Sequence, residues 1–520
     1  MGCAMLLIPE RKTIVVDSSL NDTLLKVIPH AKRLNADGKD LVAVPYGVEE
    51  SIVMRNMGFD VPEPIRHYYK WPARFQPMEH QIATASFLTS HRRALCLNAP
   101  GTGKSISSLW AADFLLEQGV AKRVLIVAPL STLKVVWGNE IRHHMPHRDF
   151  VVCVGDRKKR ISLLQKPGVE YVIINHDGFT NMASELKDFD VVIYDEATAL
   201  KTPGSQRYKV FFKWMQQNKP WLWLLTGTPI SQTPVDIWTL ARLVESPTVS
   251  KSYTSFKDSV MKKVSPFKWV PRETALETCK KVLQPSIRFS LDECRDLPDM
   301  NYVGRETELT SQQIKAFTEM QKHACTVLKD GEVTAANTAV MLAKLLQICC
   351  GVAYSENGSI EIDSSLRYNT LTELLDEIGG KVIIFVPLKG VQHYLKEKLV
   401  ADKYTVELVN GDVSKKDRDE IFYNFQHTDQ PQILLAHPKV AAHGLTLTRA
   451  KDIIWYAPIY SLEQYEQANA RIRRLNTEGK TSVWHIYATK FEAELYRRLR
   501  LKQNTLTEFL DLVRGINDDD

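Results

Sequence analysis

Residues 97–105 read Leu-Asn-Ala-Pro-Gly-Thr-Gly-Lys-Ser (LNAPGTGKS), between the apolar run RRALCLNA (92–99) and the helical pattern SISSLWAADFLLEQ (105–118). A short buried strand, a glycine-rich turn and a helix opening at Lys104 and Ser105 make a phosphate cradle. Backbone N–H groups of Gly101, Thr102 and Gly103 converge with the helix N-terminus on the ligand, Lys104 reaches the β- and γ-phosphates, and the Ser105 hydroxyl takes Mg²⁺. The expected ligands are therefore ATP and Mg²⁺. The first position of the phosphate-loop pattern, usually glycine, is Asn98. The turn alone leaves three uses of the phosphate energy open: group transfer, a timed switch, or work on a polymer.

Outward from this turn, helices alternate with short, fully apolar strands: RVLIVAP (123–129), YVIIN (171–175), DVVIYDE (190–196) and WLWLLTGTP (221–229). Strands of this composition belong to parallel sheets covered on both faces. A more helical, polar stretch follows, with SQQIKAFTEMQKHACTVL (311–328) and NTAVMLAKLLQICC (337–350). Buried strands then return at KVIIFVP (381–387), YTVELVNG (404–411), PQILLAH (431–437), KDIIWYAP (451–458) and SVWHIYA (482–488). The reading is an α/β protein with two lobes, of which only the first carries a phosphate loop. Ahead of both, RKTIVVD (11–17) and DLVAVPY (40–46) read as strands and SLNDTLLKVI (19–28) and GVEESIVMRNMGF (47–59) as helices. The prolines of VPEPIRHYYKWPARFQP (61–77) mark an extended connector. The expected domains are 1–72, a small α/β substrate-recognition or bracing unit; 73–246, the ATP-binding lobe; 247–365, a linker and helical protrusion; and 366–515, the second lobe with a C-terminal helix.

Composition narrows the classes. A chain of 520 residues with 44% hydrophobic content supports two to four domains, and no apolar run approaches the length of a membrane span. MGCAMLLIPE (1–10) departs from a myristoylation start because position 6 is leucine, so no targeting signal is read. The eight cysteines include no C-x-x-C pair, which argues against structural zinc and for reduced thiols in a cytoplasm. A net charge of +6 permits nucleic-acid binding without demanding it.

In FDVVIYDEATALK (189–201), Asp195 and Glu196 stand at a strand tip, where ligands sit in parallel sheets. Asp195 can hold the water shell of Mg²⁺ and Glu196 can act as general base on an attacking water, which favours hydrolysis over transfer. The Gln81 amide could read an adenine edge, and Phe75 could cover the base. Thr226, Gly227 and Thr228 end another buried strand and suit relay of the phosphate state. In SLEQYEQANARIRR (461–474), Gln467, Arg471 and Arg474 fall at i, i+4 and i+7, on one face if the segment is helical throughout.

In order, PMEHQ (77–81), APGTGKS (99–105), IVAPLSTLKVVWGNEI (126–141), DEATALK (195–201) and LTGTPISQTPVDIWTLARLV (225–244) resemble the motifs of helicase superfamily 2 in the form of Swi/Snf-type ATPases. That resemblance implies two RecA-like lobes, with Arg471 and Arg474 crossing to the γ-phosphate as catalytic residues beside Lys104, Asp195 and Glu196. It places Gly444 and Gln467 at the nucleotide, Thr198 in coupling, and Pro129, Leu130, Ser131, Gly411, Thr446 and Thr448 at DNA. Residues 310–350 resemble the helical protrusion of that family. Only fifteen residues separate Thr448 from Gln464, too few for a strand-splitting hairpin, which suits tracking along duplex DNA. Two departures stand out: Thr198 where the acidic motif usually has histidine, and RRLN (473–476) for the usual Arg-Ile-Gly-Gln. The compact lobes resemble phage and bacterial members, and the N-terminal unit with YYKWP (68–72) is similar to the recognition domain of the HARP-type annealing-helicase branch. The implied function is an ATP-dependent double-stranded DNA translocase remodelling branched DNA by fork reversal, branch migration or annealing, in replication, recombination or repair. The alternative is a remodeler that displaces proteins such as a polymerase from DNA; an RNA helicase fits the motifs less well. Implied partners are duplex or branched DNA and a protein at the N-terminal unit, with no membrane, in a bacterial or phage-infected host cytoplasm.

Overall fold

The computed structural model describes residues 4–36, 38–71, 76–230, 233–265, 268–294, 300–329, 335–355, 358–441, 447–472 and 481–501. The chain divides into two compact units, Met1–Cys294 and Arg295–Asp520.

The first unit is built on a seven-stranded parallel sheet. Its order is Ser286–Ile287, Arg93–Cys96, Trp221–Leu225, Val191–Asp195, Val124–Ala128, Tyr171–Asn175 and Phe150–Cys153. Side chains of one strand alternate between the faces. Leu125, Val127, Val192, Tyr194, Leu222 and Leu224 enter one core, while Val124, Ile126, Val191, Ile193, Trp221 and Trp223 enter the other. Both faces are apolar, so both must be covered by helices.

The second unit repeats the plan with six parallel strands, ordered Asn301–Glu306, Ser482–Tyr487, Asp452–Trp455, Val382–Phe385, Ile433–Ala436 and Val406–Val409. Ile384, Leu435 and Ile454 face one core, and Ile383, Leu434 and Ile453 the other. These are the two RecA-like lobes expected from the motifs. Residues of the stretch assigned to linker and protrusion supply an edge strand to each sheet, Ser286–Ile287 to the first and Asn301–Glu306 to the second. Helices Ser311–Lys329 and Ala335–Cys349 follow within the second unit. There the guanidinium of Arg367, wholly buried, donates to Cys349 O (2.9 Å), Ile486 O (2.9 Å) and Glu492 Oε1 (2.6 Å). That one cation ties a helix end, a strand and the last described helix together.

The N-terminal module is a four-stranded antiparallel sheet, ordered Ala4–Ile8, Thr13–Asp17, Lys39–Pro45 and Lys32–Ala36. Ile14, Val16, Val42 and Val44 are fully buried while their neighbours along each strand are not, the period-two pattern of a sheet with one covered face. The sequence reading lacked the two outer strands; the start it compared with a lipidation signal is one of them. The connector is also not wholly extended. Pro64 opens a short helix, Pro64–Tyr68, because proline suits the first helical turn, where its missing N–H costs nothing.

This module is fastened to the first lobe. Val48, Ile65 and Tyr69 are buried in the same core as Leu109 and Trp110 of the helix Lys104–Glu117. The Tyr69 hydroxyl donates to Asp113 Oδ2 (2.7 Å), whose other oxygen accepts from Arg148 Nε (2.6 Å). Trp71 sits edge-on against Trp110 at 5.5 Å. Asp113 belongs to the helix that opens at Lys104, so the module grips the element that carries the phosphate loop.

No described helix is long and apolar enough to cross a membrane. Among the described cysteines, Cys96, Cys153, Cys279, Cys349 and Cys350 are buried free thiols, and burial pushes Cys96 up to about 11.

Candidate functional site

The phosphate loop leaves the strand Arg93–Cys96 and stays paired to the neighbouring chain. Leu97 N donates to Ile287 O (2.8 Å) and Ala99 N to Phe289 O (2.8 Å). Asn98 is built into this wall. Its Nδ2 donates to Thr84 Oγ1 (2.8 Å) and its Oδ1 accepts from Phe289 N (2.9 Å), with the residue 1% exposed. A glycine there would leave Thr84 and Phe289 N without these partners, which accounts for the departure from the usual pattern. Gly101 and Gly103 both have φ of +86°, a conformation that turns successive N–H groups inward and that side chains disfavour. A Cβ at Gly103 would also collide with the Gln81 amide.

Lys104 Nζ donates to Asn98 O (2.8 Å) and Ala99 O (3.1 Å), folding the cation into the loop. Ser105 follows in the first turn, half-buried. The Thr102 carbonyl accepts from His80 Nε2 (2.9 Å) and Gln81 Nε2 (3.4 Å). A carbonyl can only accept, so His80 carries its proton on Nε2. Gln81 Oε1 meanwhile accepts from Met78 N (3.1 Å). These contacts tie Gln81 to the phosphate loop, and the amide has a second N–H and a second oxygen lone pair with which to meet an adenine edge.

Asp195 ends the strand Val191–Asp195 two strands away. Its Oδ2 accepts from the Trp137 indole N–H (3.1 Å) and its Oδ1 from Glu196 N (3.0 Å). Its carbonyl accepts from His176 Nε2 (2.9 Å), and His176 stacks on Tyr194 at 4.9 Å. Burial pushes the Asp195 carboxyl above its ordinary range, opposed by the Trp137 N–H, the Lys104 charge and the Glu196 N–H. Glu196 itself holds a left-handed φ of 50°, uncommon outside glycine. Thr198 lies half-buried in the turn Ala197–Leu200. Thr226 N donates to Cys96 O (3.0 Å), and Thr228 N donates to Thr226 Oγ1 (3.3 Å). A Cβ on Gly227 would meet Pro100 Cδ at 2.9 Å, so this strand tip packs on the phosphate loop itself.

Pro129, Leu130 and Ser131 follow the strand Val124–Ala128, with Leu130 52% exposed. The fold therefore brings Gln81, the phosphate loop, Asp195, Glu196, Thr198, Thr226–Thr228 and residues 129–131 to the carboxyl edge of one sheet. Asn98, marked by the sequence only as a departure, joins them with a structural role, as do His80, Trp137 and His176, which were not singled out. His80 and Trp137 carried a signal through their places in PMEHQ and WGNEI.

In the second unit the helix Leu462–Asn469 is capped by Ser461 and contains Gln467, which is buried. Arg471, also buried, lies beyond the helix end. Its N–H reaches back only to Ala468 O (3.1 Å), and its carbonyl accepts from Leu447 N (3.1 Å). The helix thus ends at Asn469, two residues before Arg471, so Gln467 and Arg471 do not share one continuous helix. Thr448 Oγ1 accepts from Gln426 Nε2 (3.2 Å). Gly411 is exposed just past the strand Val406–Val409. Phe75, Gly444, Thr446 and Arg474 lie outside the described residues.

Two RecA-like lobes, one with a phosphate loop facing an Asp-Glu strand tip, define a nucleotide-driven motor ATPase. The SNF2-related domain matches residues 80–353, more than half of the chain, and the helicase conserved C-terminal domain matches 366–476. The chain belongs to the SNF2-related family, the Swi/Snf-type ATPases of helicase superfamily 2. It is 24% identical over 425 residues to protein p41 of Acyrthosiphon pisum secondary endosymbiont phage 1, covering 76% of this chain and 88% of that one. It is also 24% identical over 418 residues to the ATP-dependent helicase MG018 of Mycoplasma genitalium, covering 76% of this chain but 38% of that larger protein. Among solved structures, it is similar to the Sulfolobus solfataricus SWI2/SNF2 ATPase core in complex with dsDNA, at 21% identity and a TM-score of 0.40, covering 86% of this chain and 94% of that one.

Proposed function

We propose that this chain is a DNA-dependent ATPase that tracks along double-stranded DNA and uses that motion to remodel branched DNA. The observation that carries the tracking mode is the described stretch 447–472, which holds one strand, Asp452–Trp455, and one helix, Leu462–Asn469, with no β-hairpin to wedge strands apart. The family assignment supplies the ATPase class, and the N-terminal module's grip on the phosphate-loop helix supports its part in positioning the substrate.

The donor set fits ATP with Mg²⁺. Gly101 and Gly103 hold the left-handed backbone of an N–H cradle, a Cβ at Gly103 would collide with the Gln81 amide, and the half-buried carboxylate of Asp195 lies within the influence of Lys104. When bound, Mg²⁺ draws charge from the phosphates and orders the water shell around them. Gly101, Thr102 and Gly103 hold the phosphates through their N–H groups, and Lys104, released from the Asn98 and Ala99 carbonyls, neutralises them. Ser105 and Asp195 would hold the metal. Glu196 accepts the proton of the attacking water, and Thr226–Thr228, packed on Pro100, carry the phosphate state to the sheet edge. Arg471 stabilises the developing charge, with Arg474 as its companion. Pro129, Leu130, Ser131, Gly411, Thr446 and Thr448 contact DNA backbone, so dependence on base sequence is weak and dependence on salt strong.

The test is ATPase rate with duplex, single-stranded, four-way-junction and RNA cofactors at one salt concentration. Duplex or junction should stimulate most. Equal stimulation by single strands would remove the tracking reading, and stimulation by RNA alone would replace DNA as the polymer.

A further inference from the structure

The segment leaving the strand Val124–Ala128 is unusual. Thr132 N and Oγ1 both donate to Pro129 O, at 3.0 and 2.9 Å, closing a tight turn over the exposed Leu130. The chain then enters a π-turn, Leu133–Gly138, in which Asn139 N reaches back five residues to Lys134 O before an ordinary helix, Asn139–His144, begins. Such turns are rare and insert one extra residue into a helix. Here the effect is to rotate Trp137 inward. Its ring is fully buried among Leu133, Ile141 and the sheet side chains, and its sole N–H points at Asp195 Oδ2 (3.1 Å). A Cβ at the next residue, Gly138, would press on Leu133 O and on the Phe150 ring at 3.4 Å each, so the turn is packed tightly against the sheet.

An apolar ring would fill this volume as well as an indole. The N–H is the feature that bears on chemistry, because the opposite oxygen of Asp195 is fixed by Glu196 N (3.0 Å) and the two donors together set the carboxylate plane.

We infer that Trp137 is a positioning residue that orients Asp195 toward Mg²⁺ and links it, through the π-turn, to the 129–131 segment proposed to contact DNA. This rests on the proposed role of Asp195 at the metal. Displacement of residues 129–131 by a bound duplex would be felt at the carboxylate through one packed turn, with no intervening loop. The inference adds to the residues already named at the phosphate loop and the Asp195 strand tip a residue that touches neither nucleotide nor DNA.

The test is the affinity of the full chain for AMP-PNP, measured with and without Mg²⁺ in the absence of DNA, for wild type and Trp137→Phe. Mg²⁺ should strengthen binding about 10–150-fold less in Trp137→Phe, the equivalent of the about 1.5–3 kcal/mol of a hydrogen bond to a charged group, while Mg²⁺-free affinity changes less than twofold. A benzothienylalanine at position 137, which keeps the indole volume without the N–H, should behave the same. Because it fills the same volume, its thermal midpoint should lie above that of Trp137→Phe, which separates positioning from packing. Equal loss of affinity with and without Mg²⁺, or an unchanged Mg²⁺ increment, would overturn the inference. Asp195→Asn is measured beside it. If that variant keeps the full Mg²⁺ increment, the error lies in the assignment of Asp195. If Asp195→Asn loses the increment and Trp137→Phe does not, it lies in the role of Trp137.

Discussion

Removing the N-terminal module is the direct way to ask whether it reads DNA branches, and the place of the cut decides whether the answer is interpretable. A protein beginning at Trp71 retains every residue of the nucleotide site. It loses Val48, Ile65 and Tyr69, which are buried in a core of the first lobe, and the Tyr69 hydroxyl on Asp113. Apolar side chains of this kind contribute about 1.5–3 kcal/mol each when buried, and a hydrogen bond to a charged group about 1.5–3 kcal/mol. The loss is therefore about 6–12 kcal/mol, comparable to the whole stability of a domain at about 5–15 kcal/mol. Asp113, 1% exposed, would keep Arg148 but lose a partner on its second oxygen. A protein beginning at Pro62 instead keeps the helix Pro64–Tyr68 and Tyr69 while still removing the four-stranded sheet. At about 2–4 °C per kcal/mol for a unit of this size, the Trp71 start should melt at least roughly 10 °C below the intact chain or be insoluble. The Pro62 start still loses Val48 from that core and should melt about 3–12 °C below the intact chain by the same conversion, keep duplex-stimulated ATPase and lose fork and junction processing. Calorimetry and a branch-migration assay on the same preparations check both. If the Trp71 start melts within about 3 °C of the intact chain, the docking energy argued from Tyr69 and Ile65 is wrong. If the Pro62 start processes junctions normally, the module is a brace.

Glu196→Gln should keep nucleotide binding and lose turnover, whereas Lys104→Ala should lose both; equilibrium binding beside steady-state ATPase separates them, and normal turnover by Glu196→Gln would remove the general-base assignment. Arg471→Ala should lower DNA-stimulated turnover by about 10³–10⁵-fold, the range for arginines that stabilise phosphoryl-transfer charge, with little change in ATP binding; equal loss of both would mark a folding defect instead. The buried His485, hydrogen-bonded to the Tyr465 hydroxyl (2.8 Å), is held neutral, its pKa lowered to about 3 chiefly by burial. The unfolded chain takes up that proton near pH 6.5 and the folded chain does not, so stability should fall at about 1.4 kcal/mol per pH unit from 6.5 down toward 3 and be unaffected above. Melting temperatures across pH 4–8 for wild type and His485→Gln would show it, the variant losing that part of the acid slope.

What was legible in the sequence follows from the physics of each element. Strands such as Val124–Ala128 and Trp221–Leu225 are buried on both faces, so each must be apolar at every position, and such runs are visible without context. The edge strands Ser286–Ile287 and Asn301–Glu306 are short or half-exposed, need no such run, and read as linker. Lys32–Ala36 is exposed along its whole length and has no buried face to betray it. The same distinction governs the site. Gly101, Gly103, Lys104, Asp195 and Glu196 act through residue types whose spacing along one loop or strand tip fixes their chemistry. Asn98, His80, His176 and Trp137 act through partners that lie far along the chain, at Phe289, Thr102 and Asp195. Nothing in a local pattern says that an asparagine replacing the first glycine will bond Thr84 and Phe289, or that one extra residue in a helical turn will aim an indole at a carboxylate. The end of the helix at Asn469 is of this kind too. Periodicity favoured a helix running through Gln467 and Arg471, whereas the helix closes at Asn469 and the Arg471 carbonyl accepts from Leu447 N. Long-range hydrogen bonds of this sort, rather than propensity, separate the motif that sequence displays from the site that the fold assembles.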